Sequence, residues 1–221
     1  INSKMNQSYK TSSLYIFLLF ILLSCNNNTE SKNTLLNSER IEQKFGSYGV
    51  DIVQSDNLSR VSFLYSLEPN NKNKKNYHTL AIVKFKEARQ VSNIHEKILN
   101  GGSIGKSFKK EGWEIDKTNH QMMVISNPDK LLFKSWLKQI NNENLALHFY
   151  ELNVKSKNYY YLYAEILEIH HPEYLGFNDL TEVYNLDKET QNNEKLLSML
   201  NFILNSKSAL DEALFLINKN L

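Results

Sequence analysis

The stretch LALHFYELNVKSKNYYYLYAEILEIHH, Leu145 to His171, decides the fold class. Two runs rich in aromatic and aliphatic residues, Leu145 to Val154 and Tyr159 to His171, flank the polar break Lys155-Ser156-Lys157-Asn158. Such runs suit a pleated, half-buried backbone and the break suits a tight turn, so the pair reads as an antiparallel hairpin. Upstream, Tyr48 to Asp56, Ser59 to Glu68 and Tyr77 to Glu87 read as further strands. In the last of these, Ala81, Val83 and Phe85 are expected to face the core. Trp113 to Asp116 and Gln121 to Ser126 suggest another hairpin, turning around Lys117 to His120.

Helical periodicity surrounds these strands. Val91, Ile94, Ile98 and Leu99 share one side of a short helix. Asn127 suits an N-cap, Pro128 the first helical position, and Leu132, Trp136 and Ile140 recur every four residues. Leu196, Leu197, Leu200, Ile203 and Leu204 form one terminal stripe, and Leu210, Leu214, Ile217 and Leu221 another. The fold class expected is α+β: antiparallel β-hairpins with helices packed on one face, and a helical C-terminus.

A repeat is also suggested. Phe63 to Glu68 aligns with His148 to Asn153, and Lys75-Asn76-Tyr77 aligns with Lys157-Asn158-Tyr159. Residues 60–99 and 145–184 would then be two copies of one β-hairpin-plus-helix unit, the second with a turn three residues shorter. A chain rich in Lys and Asn also generates such words by composition alone.

The segment NGGSIGKS, Asn100 to Ser107, resembles a phosphate-binding loop at its Gly105-Lys106-Ser107 tail. Position 100, where the first glycine belongs, is Asn, and a helical pattern rather than a strand precedes it. Local chemistry suffices instead. Gly101 and Gly102 end one helix, Ser103 caps a second bearing Ile104 and Phe108, and Gly112 stops it before Trp113. No nucleotide is expected.

The first 25 residues carry an address. Lys10 precedes the apolar run Leu14 to Leu23, ten residues where a membrane span needs about 20. That length suits the core of a secretory signal. Ser24 and Cys25, the single cysteine, follow. Leu22-Leu23-Ser24-Cys25 resembles the lipobox of bacterial lipoproteins. The resemblance implies cleavage before Cys25, acylation (palmitate included) of that residue, and a chain held at a membrane. It covers the leader alone. Each buried methylene adds about 0.8 kcal/mol, so several acyl chains anchor stably. Residues 1–24 are therefore read as signal peptide, 25–39 as lipidated Cys and polar tether, and 40–221 as one α+β domain. The polar start of the tether resembles that of outer-membrane lipoproteins.

Charge narrows the partners. The full chain has 26 basic and 24 acidic residues; losing Lys4 and Lys10 with the leader leaves 24 of each. A nucleic-acid binder needs a basic excess on one face, so no nucleic acid is expected. Lysines outnumber arginines by 23 to 3.

Two constellations bear chemistry. Glu168 and His170 share one face of the strand ending in His170-His171-Pro172-Glu173, and His148 approaches from the neighbouring strand. These three are the candidate catalytic residues, although a zinc site needs three or four convergent ligands and no third is identifiable from sequence. They also read as polar groups at a strand end. Tyr159, Tyr161 and Tyr163 alternate onto one face and offer a stacking stripe for a sugar or peptide. A helix packed over that face would bury them instead. No Gly-x-Ser-x-Gly or His-Glu-x-x-His segment is present, and no metal or cofactor is expected.

The expected function is a lipoprotein of the outer membrane carrying a binding or scaffolding domain for an envelope glycan, peptide or protein. The alternative is an envelope hydrolase using His170, Glu168 and His148. Labelling with radioactive palmitate should mark the chain, and Cys25→Ser should remove the label. A label that survives the substitution contradicts the anchor.

Overall fold

The computed structural model describes residues 35–220, apart from 87, 89–90, 127, 129, 138–143 and 187–191. Cys25, Asn127, Ile140 and Leu221 lie outside the described residues. The elements run α1 (Asn37–Phe45), β1 (Gly49–Ser55), β2 (Ser59–Glu68), β3 (Asn71–Phe85), α2 (Ser92–Leu99), α3 (Ile104–Lys110) and β4 (Glu114–Ser126). They continue with α4 (Leu131–Trp136), β5 (Asn144–Ser156), β6 (Tyr159–His170), α5 (Phe177–Tyr184), α6 (Glu194–Leu204) and α7 (Lys207–Asn220).

Six strands form one antiparallel sheet in the order β1-β2-β3-β6-β5-β4. The Leu145–His171 hairpin is β5 and β6, and β6 pairs with β3 to join two three-stranded meanders at the middle of the sheet. The α+β class with antiparallel hairpins and a helical C-terminus is what the sequence pattern indicated.

On one face, α1, α2, α3 and α5 pack over Leu64, Ala81, Val83, Phe85, Leu152 and Ile166. On the other, α4 and the C-terminal α6 and α7 pack over Val61, Phe63, Leu80, Ile82, Phe149 and Leu167. Helices cover both faces rather than the one face expected from the sequence, because residues of both parities in the middle strands are apolar, and this buries successive residues there. Leu145 to Val154 is consequently buried without a break. It also explains why Leu80 and Ile82 are as buried as Ala81 and Val83.

Several local expectations are corrected. Leu36, Asn37 and Ser38, read as tether, are instead buried at the start of α1 and belong to the folded domain. Trp113 to Asp116 and Gln121 to Ser126 do not form a hairpin. Both segments pair with β5 as one strand, and the Lys117–His120 region is a bulge with Asn119 at φ 51°. Helix α4 starts at Leu131, so Pro128 lies before it rather than at its first position. In α7 the fully buried residues are Ala209, Ala213 and Ile217, with Leu210 and Leu214 only flanking the core. Small alanines let that helix approach the sheet closely.

The NGGSIGKS segment is a joint between α2 and α3. Gly101 has φ 96°, where a side chain costs about 1–2 kcal/mol. Gly102 admits no Cβ, which would stand 2.7 Å from the Lys97 carbonyl oxygen. Ser103 caps α3, Ile104 and Phe108 are buried, and Gly112 at φ 76° precedes β4.

Candidate functional site

Register places the three candidate residues. His148 on β5 stands directly opposite Glu168 on β6, and His170, two residues on, shares that face. The pattern of alternation therefore brings all three together from strands adjacent in both sequence and space. One nitrogen of each histidine and one oxygen of Glu168 lie within 4.8 Å of one another. His148 and His170 are fully buried and Glu168 nearly so, beneath α1 and α5.

Surrounding hydrogen bonds fix the atoms that face inward. His120 Nε2 donates to the Lys117 carbonyl at 3.0 Å, because that oxygen can only accept. His120 Nδ1 then accepts from His148 Nε2 at 2.8 Å, leaving His148 Nδ1 a bare lone pair. Asn37 from α1 is locked by the Tyr174 hydroxyl on its oxygen. Its Nδ2 donates to Glu168 Oε1 at 3.0 Å and to Thr79 Oγ1 at 3.3 Å. Tyr150 adds a second donor to Glu168 Oε1 at 3.3 Å. Thr79, from β3, lies 3.0 Å from His170 Nδ1. His148 Nδ1, Glu168 Oε2 and His170 Nε2 are buried and have no hydrogen-bond partner.

Electrostatics keep the histidines neutral. Burial pushes His148 well below its ordinary value, helped by Lys117 and His120. His170 falls to about 4, again mainly by burial, although Glu168 opposes the shift. Burial raises the Tyr150 hydroxyl well above its usual range, and the Glu168 charge adds to this. Neutral imidazoles beside a carboxylate can act as bases or ligate a cation, and a neutral Tyr150 can donate.

A small cleft adjoins this centre, lined by Asn37, Tyr48, Arg60, Ser103, Lys117 and Glu168 among others. Arg60 is 2% exposed and donates from Nη1 to the carbonyls of Ile98 at 2.8 Å and Gly102 at 2.9 Å. Its Nε has no partner, and among the described residues no carboxylate forms an ion pair with it. Ordinarily a buried charge is paired.

The tyrosine stripe is not an open platform. Tyr163 is fully buried, its hydroxyl 2.7 Å from His95 Nδ1 under α2. Tyr161 packs against the same cluster, and half-exposed Tyr159 stacks on Trp113. Tyr163 is also an extra, bulged residue of β6, between the pairs Leu152↔Ala164 and Asn153↔Leu162. Strict alternation fails there, so Ala164 and Ile166 join Tyr163 in one core cluster instead of facing away from it.

Asn37, Thr79, His120, Tyr150 and Arg60 were not singled out in the sequence. Asn37 sits inside a polar run, and Thr79 and His120 reach the centre only through strand pairing. Arg60 carried a usable signal, as one of three arginines among 23 lysines. Comparison with known protein families, with curated proteins and with solved structures finds no match.

Away from the centre, His78 bulges from β3, bonds Ser66 Oγ at 2.8 Å and stacks on Phe45 with centroids 3.9 Å apart. Burial lowers it to about 3, against 6.5 for the unfolded chain. The unfolded state therefore binds the proton first, and stability present above about pH 6.5 is lost as pH falls toward 3. The slope is about 1.4 kcal/mol per pH unit for this one group. Urea unfolding across this window should show that loss, and His78→Gln should make the slope shallower by about one proton. An unchanged slope contradicts this account of His78.

Proposed function

We propose that the protein is a lipid-anchored envelope protein, held at the outer membrane through Cys25. Its α+β domain binds a small molecule bearing a carboxylate or phosphate group. The anchor rests on the apolar run and the lipobox-like Leu22–Cys25. The binding reading rests on one observation: Arg60 is a buried cation in the wall of a cleft, its Nε without a hydrogen-bond partner and, among the described residues, with no acidic partner. Lys117, Tyr48 and Ser103 line the same cleft, and Lys117 brings a second cation to it. Among the described residues, no helix is long and apolar enough to cross a membrane.

A hydrolase using His170, Glu168 and His148 is the second reading, favoured by their convergence. Of the three, Glu168 alone lines the cleft, so a substrate would meet its carboxylate first.

We further propose that the two halves are copies of one unit. Each runs strand, turn, strand, helix: β2, β3, α2 and β5, β6, α5. The bulged residues His78 and Tyr163 are 85 positions apart (163 less 78), as are the helix starts Ser92 and Phe177 (177 less 92). Self-alignment of related sequences should recover that offset for the second strand and helix, and 88 for the first strand, where Leu64 and Leu152 flank the bulges (152 less 64). A consistent different offset contradicts common origin.

The binding reading has a direct assay. Thermal melts of the purified full chain in phosphate or acetate should exceed melts in chloride at matched ionic strength. At ten times the dissociation constant the gain is about 1.4 kcal/mol. Arg60→Met should abolish it. Equal melting in all three salts contradicts the reading.

A further inference from the structure

We propose that His148 Nδ1, Glu168 Oε2 and His170 Nε2 bind one divalent transition-metal ion. Each atom is buried and has no hydrogen-bond partner, and the three belong to side chains that converge from two neighbouring strands. Orphaned buried polar atoms are uncommon and call for an explanation. The three side chains offer one ligand atom each within 4.8 Å of one another, and a cation between them gives their orphaned atoms a single explanation.

Ligand chemistry selects the class of ion. Two neutral imidazoles and one carboxylate suit zinc and its first-row neighbours, whereas calcium and magnesium take oxygen ligands. Tetrahedral zinc with bonds of about 2.1 Å sets its ligands about 3.4 Å apart. Glu168 Oε2 and His170 Nε2 are 3.8 Å apart, so modest side-chain rotation closes the set. Three protein ligands leave a fourth position for water or another ligand, and Glu168 also lines the adjoining cleft.

The outer partners are those a metal site requires. His148 presents its Nδ1 lone pair because its Nε2 proton is given to His120, whose own proton is fixed on the Lys117 carbonyl. Thr79 Oγ1 accepts from Asn37 and has a second lone pair for a proton on His170 Nδ1, the tautomer that leaves His170 Nε2 bare for an ion. Glu168 Oε1 takes the donors from Asn37 and Tyr150, freeing Oε2. Every ligand is thus oriented through its far atom.

A competing arrangement would have a protein cation neutralise Glu168. Arg40 and Lys117 both act on His170 electrostatically, and their charge opposes a bound ion. Neither lies in an ion pair with Glu168. Among the described residues its ion-pair partner is His170. Arg40 donates to the Leu35 carbonyl, and Lys117 to the Tyr184 hydroxyl over the rings of Tyr150 and Tyr184.

This inference is independent of the anion reading, since it turns on Glu168 and that one on Arg60. Untagged full chain, stripped with a chelator, is titrated with zinc against a chromophoric competitor and with cobalt(II) followed by its visible spectrum. One equivalent should bind, and zinc should raise the melting temperature. Glu168→Gln keeps the shape of the side chain but loses the charged ligand, so it should fold, bind at least about tenfold more weakly and lose the thermal shift. His120→Phe should weaken binding about 10–100-fold through tautomer and orientation. His171→Gln, outside the set, should leave binding unchanged. No binding by the parent chain overturns the proposal. So does zinc that binds or stabilises parent and Glu168→Gln alike.

Discussion

The pairing of β3 with β6, from Thr79↔His170 to Phe85↔Ala164, is the constraint on which the rest of the molecule depends. It converts two three-stranded meanders into one six-stranded sheet with a helical layer on each side. Without it each meander would expose an edge strand and leave one flank of the core unmatched. The seam also assembles the polar centre. Thr79 comes from β3, Glu168 and His170 from β6, and His148 from β5, which pairs with β6 on its far side. Helix α1 then closes over the seam and inserts Asn37 between Thr79 and Glu168.

A carboxylate in the middle of a sheet is costly, because burial removes hydration that protein groups must replace. Glu168 has half of that replacement: two donors serve Oε1, and Oε2 has none. Fully satisfied polar networks rigidify a core, whereas partly satisfied ones are expensive. The surrounding atoms are oriented closely enough that the deficit is a built feature rather than loose packing. An ion bound by Oε2 and two imidazoles completes the network. Nearby, Arg60 shows the opposite imbalance, a cation with carbonyls but no acid, and it faces the cleft that Glu168 also lines. The cleft is thus lined by a buried cation and a buried anion, each incompletely satisfied, and the proposed ligand and ion answer those two deficits.

Much of this was legible in the sequence. The Leu145–His171 hairpin, the antiparallel α+β class, and the glycine joint at Gly101 and Gly102 follow from local chemistry that short segments carry in full. So does the sharing of one face by Glu168 and His170, since alternation is a property of a single strand. Other features depend on pairing. Whether His148 lies opposite Glu168 or two residues off it is set by strand register, which the turn and its bulge determine. The bulge at Tyr163 defeated alternation and mixed the faces of the tyrosine run. Asn37 sat in a polar run read as tether, and only tertiary contact reveals its role. The repeated Lys-Asn-Tyr words are offset by 82 from Tyr77 to Tyr159 (159 less 77), whereas the bulged residues are offset by 85, a difference that strand pairing alone reveals.

The central claim is that the three inward-facing atoms form a metal centre at the seam, and anomalous diffraction tests it most directly. Crystals grown with cobalt(II), with data collected on either side of the cobalt edge, should show one peak bonded to His148 Nδ1, Glu168 Oε2 and His170 Nε2. A map with no peak there, and Glu168 Oε2 instead bonded to Arg40 or Lys117, would contradict the account.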